Sequence, residues 1–302
     1  MRIILISVLV MISFSAFAAD KFRGYIGFGA GYISTDDNMS VSADNRDQTV
    51  NIFSKTLPIV TGELKYETGD MVFHIGRPLD SPDPAFSAGI TKKFSEDSSL
   101  DISAKYIAGN AWENPYLERR TETGEAISGL TARYEGIGGS FLFAEASVLR
   151  HDIKDDDAGD AYDTLSRDGI ETEIRLGYTL KKKGKGSADF YLYYNMDNRD
   201  GDAESSDAFG QGIMFKMLTA KKDLLVFGAE TIFREFDSMN PYFDKTRNDM
   251  GYRLFATYTF NNVFGSKGKF ISLTGFHAAS VSNISFFDSN SSGGLVTAGF
   301  RF

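Results

Sequence analysis

Gly169-Ile170-Glu171-Thr172-Glu173-Ile174-Arg175-Leu176-Gly177-Tyr178-Thr179-Leu180 decides the fold, because its side chains sort with a period of two. In an extended chain Ile170, Ile174, Leu176, Tyr178 and Leu180 share one face, and Glu171, Glu173 and Arg175 share the other. A helix would scatter both sets around its circumference. The period therefore predicts a β-strand with one apolar face and one charged face.

Thirteen further stretches of this kind can be drawn, separated by turn residues. Leu100, Ile102, Ala104 and Tyr106 oppose Asp101 and Lys105; Tyr252, Leu254, Ala256, Tyr258 and Phe260 oppose Arg253. The same parity sends Arg23, Glu63, Lys65, Arg133, Glu145, Lys216, Glu230, Arg234 and Arg301 to the charged face. With Asp101, Lys105, Glu171, Glu173, Arg175 and Arg253, these are the candidate lumen-lining residues. An Arg or Lys in the lipid midplane costs about 2–4 kcal/mol, which is why consistent sorting carries weight. Lys92, Arg77 and Arg150 fall on the apolar parity, near strand ends where that cost nearly vanishes.

Alternation alone does not separate a soluble barrel, apolar inside, from a membrane barrel, apolar outside. Loop lengths do. From the N-terminus the odd connections are mostly long: Ser34 to Thr56, Asn110 to Glu125, His151 to Asp168, Asp197 to Asp207, Asp237 to Asp249 and Ser282 to Gly293. The even ones are short. Short periplasmic turns and long external loops are the membrane-barrel arrangement. The final stretch, Gly294 to Phe302, alternates Val296, Ala298, Phe300 and Phe302 on one face. That pattern resembles the C-terminal signal by which the barrel-assembly machinery recognises bacterial outer-membrane proteins.

The N-terminus reads as a signal peptide: Arg2, an uncharged apolar stretch from Ile3 to Phe17, then Ala16-Phe17-Ala18. Residues 1–18 are thus expected to be removed and residues 19–302 to form one barrel domain. No later run is long and apolar enough for a spanning helix. The chain has no Cys, so neither disulfides nor Cys-based zinc sites arise. Its 30 Gly, 26 Phe and 14 Tyr suit tight turns and aromatic interface belts. A net charge of -9 argues against nucleic acid as a partner.

The expected fold is a transmembrane antiparallel up-and-down β-barrel of 14 strands. The alternative is 12, if the pair flanking Asp80-Ser81-Pro82-Asp83-Pro84 lies outside the wall. Charge also divides by side. Lys181, Lys182, Lys183, Lys185, Lys221, Lys222, Lys267 and Lys269 sit at short turns; Asp152, Asp155, Asp156, Asp157, Asp160, Asp163, Asp197, Asp200, Asp202, Glu204 and Asp207 are read into long loops. Such loops are either solvated or attract cations shared with lipopolysaccharide phosphates.

The three His offer little chemistry. His277 lies in Phe276-His277-Ala278-Ala279-Ser280, which faintly resembles the His-x-Ser neighbourhood of outer-membrane lipid hydrolases. Those enzymes need Ser two residues from His, on the same strand face. Here that position is Ala279, and Ser280 points the other way. His74 falls on the lumen side, and His151 opens an acidic loop with at most weak metal contact. Glu171 and Glu173, roughly 7 Å apart by strand rise, are followed by Arg175 on the same face and read as a solvated ladder. No catalytic, cofactor or metal residues are assigned.

Asn240-Pro241-Tyr242-Phe243-Asp244-Lys245-Thr246-Arg247-Asn248-Asp249 mixes aromatics, Pro and both charge signs. It reads as an ordered loop, either folded into or over the pore or simply a stable external loop. With the following Tyr252-Arg253-Leu254-Phe255-Ala256-Thr257-Tyr258-Thr259-Phe260, it resembles a family of uncharacterised proteobacterial outer-membrane proteins. The resemblance extends over most of the chain beyond the signal peptide, and implies location and fold but no activity. The expected function is a porin-like channel for small polar or charged solutes. The competing expectations are a non-conducting interaction barrel and, less favoured, a lipid-modifying enzyme. The expected partners are outer-membrane lipids, lipopolysaccharide and small solutes.

Overall fold

Strands with one apolar and one charged face cannot bury both, and closing the sheet on itself separates them. The computed structural model describes residues 21–41, 52–79, 85–182 and 185–302. Its strands, in chain order, are β1 Phe22–Thr35, β2 Phe53–Thr68, β3 Met71–Gly76, β4 Phe86–Lys93, β5 Ser99–Trp112, β6 Glu122–Glu135 and β7 Leu142–Ile153. There follow β8 Gly169–Lys182, β9 Gly186–Arg199, β10 Ser206–Leu218, β11 Leu224–Asn240, β12 Lys245–Asn261, β13 Lys269–Ser282 and β14 Ser289–Arg301. Each pairs antiparallel with its sequence neighbours. β1 pairs with β14, with Tyr25 opposite Arg301 and Thr35 opposite Ser291, so the barrel is closed. No edge strand remains to template aggregation.

The wall contains 14 strands, β3 and β4 included, so the twelve-strand alternative is set aside. The link 80–84, Lys183 and the expected signal peptide lie outside the described residues.

The outer surface is apolar. Phe28, Ile102, Leu130, Leu176, Phe209 and Phe300 are large, exposed and on the parity assigned to lipid. A soluble protein does not expose a continuous apolar girdle of this kind. The inward parity carries Tyr25, Glu63, Asn195, Phe255 and Thr259, all buried. A closed barrel that is apolar outside and charged inside is a transmembrane barrel, and this chain is a bacterial outer-membrane protein of that class.

Several strands outrun the sequence reading. β11 and β12 have 17 residues each, against about 9–11 needed to cross the hydrocarbon layer. Their outer ends project beyond the lipid, where the outward face no longer has to be apolar, so the alternating signal fades there. The expected loop Asp237 to Asp249 consequently shrinks to the hairpin tip 241–244. The β11–β12 register shifts at a β-bulge between Glu235 and Met239, a device that bends and twists a strand locally.

At the opposite end the turns are tight. Gly136 opens the β6–β7 turn at φ 71°, and a Cβ there would stand 2.1 Å from the Asp97 carbonyl oxygen. Only glycine meets both demands.

Candidate functional site

The lumen is crossed by a belt of ion pairs built from the inward parity. Arg133 on β6 donates from Nε to Glu135 (2.9 Å), from Nη1 to Glu145 (3.2 Å) and from Nη2 to Asp189 on β9 (3.2 Å). Its guanidinium lies 3.9 Å from the centre of the Phe143 ring. Arg175 on β8 donates to Glu173 (2.9 Å) and reaches toward Glu230 on β11 (3.9 Å). Contacts from β6 to β9 and from β8 to β11 skip the intervening strands, so they run as chords through the interior. Glu230 also accepts from Arg253 Nε (3.0 Å) and from the Tyr191 hydroxyl (2.5 Å).

Tyr191 and Tyr193 lie flat on the inner wall under Arg175, whose guanidinium stands 4.5 and 5.3 Å from their ring centres. Gly212 gives Tyr191 this place: a Cβ there would come within 2.4 Å of the ring. The belt is thus set by aromatic packing as well as by charge.

A chamber lies on each side of the belt. Toward the short turns, a cavity of about 460 Å³ is lined by Glu63, Lys65, His74, Asp101, Lys105 and Arg133, among others. Within it Lys65 pairs with Glu63 (3.1 Å), and Asp101 accepts from Thr91 (2.6 Å) and meets His74 Nε2 at 2.8 Å. Toward the long loops, a cavity of about 520 Å³ is lined by Glu171, Glu173, Arg175, Glu230, Arg234 and Arg253, together with loop residues. Arg234 has no ion-pair partner among the described residues, and its Nε is buried without a hydrogen bond. Its cross-strand neighbour Asp249 is taken by Arg247 at 2.6 Å. Lys216 shares the inward parity of β10, and Arg23 and Arg301 lie at the short-turn rim, where Arg301 stands 5.4 Å from the Phe270 ring centre.

The long loops fold together over the mouth. Tyr116, Ala158, Leu165, Ala203, Ile284 and Phe287 form a buried apolar cluster, with Met39, Phe243 and Phe286 packed against it. Five connections between strands contribute to this cap, and Met39 adds a sixth. Tyr116 is its hub: it stacks on Tyr242 (4.5 Å between ring centres), donates its hydroxyl to Glu204 (2.7 Å) and accepts from Asn240 (3.0 Å). Arg120 clamps the first loop through the Asn38 carbonyl (2.6 Å), and Arg247 lies 3.8 Å from the Phe287 ring centre. The segment 240–249 therefore folds over the barrel mouth, as a strand hairpin whose tip supplies Tyr242 and Phe243.

Burial raises Glu204 above the ordinary carboxylate value of 4.5, outweighing the Tyr116 hydrogen bond and the neighbouring Arg247, Arg167 and Arg199. Asp37, also in the cap, is raised for the same reason despite its bond from the Met39 amide. An acid with a raised folded-state pKa stabilises the closed cap most at low pH, and that contribution is lost as pH rises through the raised value. The cap is thus expected to loosen as pH increases from about 4.5 upward. Loop proteolysis of the folded barrel across that range should accelerate with pH, and Glu204→Gln should flatten the profile. A profile unchanged by the substitution would remove Glu204 from this role.

Sequence reasoning placed the lumen charges but missed several of their partners. Asp189, Tyr191, Tyr193 and Asn195 share one parity on β9 and were legible there. His151, read as the start of a loop, lies inside β7 and bonds Glu171 at 2.9 Å. On β13 His277 faces outward and bonds the Tyr252 hydroxyl (2.9 Å), whereas Ser280 lines the inner chamber. The two residues lie on opposite faces of the wall.

A family model described as "Protein of unknown function (DUF2860)" matches residues 22–301. The chain belongs to this family. No curated protein matches it. Among solved structures it is similar to the outer membrane channel DcaP of Acinetobacter baumannii, with 11% identity over 93% of this chain and 96% of that one, and a TM-score of 0.46. It is also similar to a Pseudomonas aeruginosa FadL homologue (9%, covering 94% and 90%, TM-score 0.41). An anion-selective porin from Comamonas acidovorans gives similar values (9%, covering 93% and 98%, TM-score 0.42). The DUF2860 match spans every strand of the barrel.

Proposed function

We propose that this DUF2860 barrel is a porin-like channel for small polar or charged solutes, with its external loops folded as a constricting cap. The observation that carries this reading is the pair of charged chambers, about 520 and 460 Å³, on either side of the arginine belt. A barrel serving only as a scaffold fills its interior with side chains, as barrels of about eight strands do. Polar chambers on either side of the belt are what a solute pathway needs, and crossed charges at the belt orient dipolar or ionic solutes.

The packed cap favours a second reading, a barrel whose external surface engages a partner while the lumen stays shut. Acidic residues on that surface would then contact divalent ions shared with lipopolysaccharide. The outward placement of His277, away from Ser280, gives no support to lipid hydrolysis.

Conductance separates the first two readings. Purified, refolded protein in a planar bilayer under a salt gradient should give discrete current steps with a reproducible reversal potential. A silent bilayer, with the barrel shown folded by its heat-modifiable mobility in detergent gels, would leave the loop surface as the functional element.

A further inference from the structure

Near the long-loop end of the lumen, three adjacent strands bring together His151 of β7, Glu171 of β8 and Asp197 of β9. Each offers one donor atom, and these atoms lie within 4.8 Å of one another. The register makes the group. Glu171 and Asp197 are direct cross-strand partners, and His151 stands opposite Gly169, whose missing side chain lets the imidazole lean along the strand to Glu171. His151 and Asp197 are each 7% exposed, while Glu171 opens onto the 520 Å³ chamber.

A second observation points to a ligand. Asn195, 3% exposed, donates its amide nitrogen to Glu171 (2.6 Å) while its carbonyl oxygen is buried with no partner. A buried amide oxygen without a donor costs about 1–3 kcal/mol. Turned about its last bond, the same amide would present oxygen instead of nitrogen to the cluster, which is favourable only with a cation between it and the carboxylate. His151 Nδ1 is likewise buried without a partner.

We propose that His151, Glu171 and Asp197, with the Asn195 amide oxygen, bind one divalent transition-metal ion at the chamber wall. One imidazole nitrogen with carboxylate and amide oxygens suits Zn²⁺ and its neighbours rather than Mg²⁺, which prefers an all-oxygen shell. Zinc bonds of about 2.0–2.2 Å require donors roughly 3.5 Å apart, so on loading the widest gap within the 4.8 Å group narrows while the ion enters between His151 and Glu171, now 2.9 Å apart. Arg199 holds Asp197 through two hydrogen bonds (2.5 and 3.0 Å), fixing the carboxylate while each oxygen keeps a second lone pair. It also lowers the cluster's negative charge, which sets a moderate, reversible affinity.

The loops above supply the approach. Residues 154–168 carry six Asp against Lys154 and Arg167, and residues 200–205 add Asp200 and Asp202. Such a field concentrates cations at the mouth. The site does not require the barrel to conduct, so its test stands apart from the bilayer experiment.

The test is calorimetric titration of untagged, EDTA-stripped, refolded protein in detergent with ZnCl₂, and separately with MgCl₂. One Zn²⁺ per chain is expected, with His151→Gln weakening binding at least ten-fold, Asn195→Ala weakening it less, and His277→Gln leaving it unchanged. Mg²⁺ in large excess should not displace Zn²⁺. If His151→Gln does not refold, Asp197→Asn takes its place with the same expected loss. Absence of saturable Zn²⁺ binding by folded wild-type protein would overturn the proposal. So would binding that survives substitution at both positions, or that Mg²⁺ matches, because the ion would then sit on loop carboxylates alone.

Discussion

Replacing Arg133, Arg175 and Arg253 together by Glu should shift the reversal potential of this barrel strongly toward cations, by about ten-fold in permeability ratio. The three guanidiniums are the cationic side of the belt. Each substitution turns one positive charge into one negative, and each new carboxylate faces acids already present: Glu145 and Asp189 at position 133, Glu173 and Glu230 at position 175, Glu230 at position 253. A ten-fold ratio needs only about 1.4 kcal/mol. A single unit charge within 4 Å of a passing ion supplies about 1 kcal/mol even at the dielectric of bulk water.

The triple variant also gathers acids in a partly buried belt, and folding becomes the competing explanation for any loss of current. Arg253→Glu alone avoids this, because that side chain is 46% exposed and has the freest access to the chamber. It should move the reversal potential in the same direction by a smaller step, in a barrel whose heat-modifiable mobility is unchanged. Discrete channels whose reversal potential ignores all three positions would mean that the conducting path does not pass the belt.

Much of this geometry was legible in the residues, and the reasons for the remainder are physical. Parity works wherever lipid lies on one side, so Glu171, Arg175, Glu230 and Arg253 could be placed inward without coordinates. It says nothing about which inward charges meet. Arg133 finds Asp189 three strands away because the barrel curves them together, and curvature is not written in a strand's alternation. Beyond the lipid the rule lapses. His151, Asp249 and the first residues of β14 were read as loop because their outward neighbours, such as Asp152, Asn248 and Asn290, are no longer apolar. The loop cap has no periodicity at all. Tyr116 in Asn114-Pro115-Tyr116 looks like any surface turn, and only its burial at 6% exposure shows it as a hub. The one available cue was compositional, the Tyr242-Phe243 and Phe286-Phe287 pairs in segments that should otherwise be polar.

Tyr116→Ala should open the mouth without disturbing the barrel. Truncating a fully packed aromatic costs about 3–5 kcal/mol. Here the loss falls on a set of loops held to one another, not on the strand ladder. The ring touches Tyr242, Phe243, Phe286 and Phe287, and its hydroxyl links Glu204 to Asn240. Removing it leaves the buried Glu204 without its hydroxyl donor, in the part of the cap already weakened when that acid ionises. Four connections, 113–121, 200–205, 241–244 and 283–288, lose their common contact at once. Larger single-channel conductance and faster loop proteolysis are the expected results, with the unfolding midpoint of the barrel in urea unchanged. Conductance that stays constant while the loops become protease-sensitive would show that the cap is not the narrowest part of the pathway, and would move that constriction down to the arginine belt. Loops that remain protected would instead mean that the flanking clamps, Arg120 on the Asn38 carbonyl and Arg167 on Asp156, hold the cap without its aromatic centre.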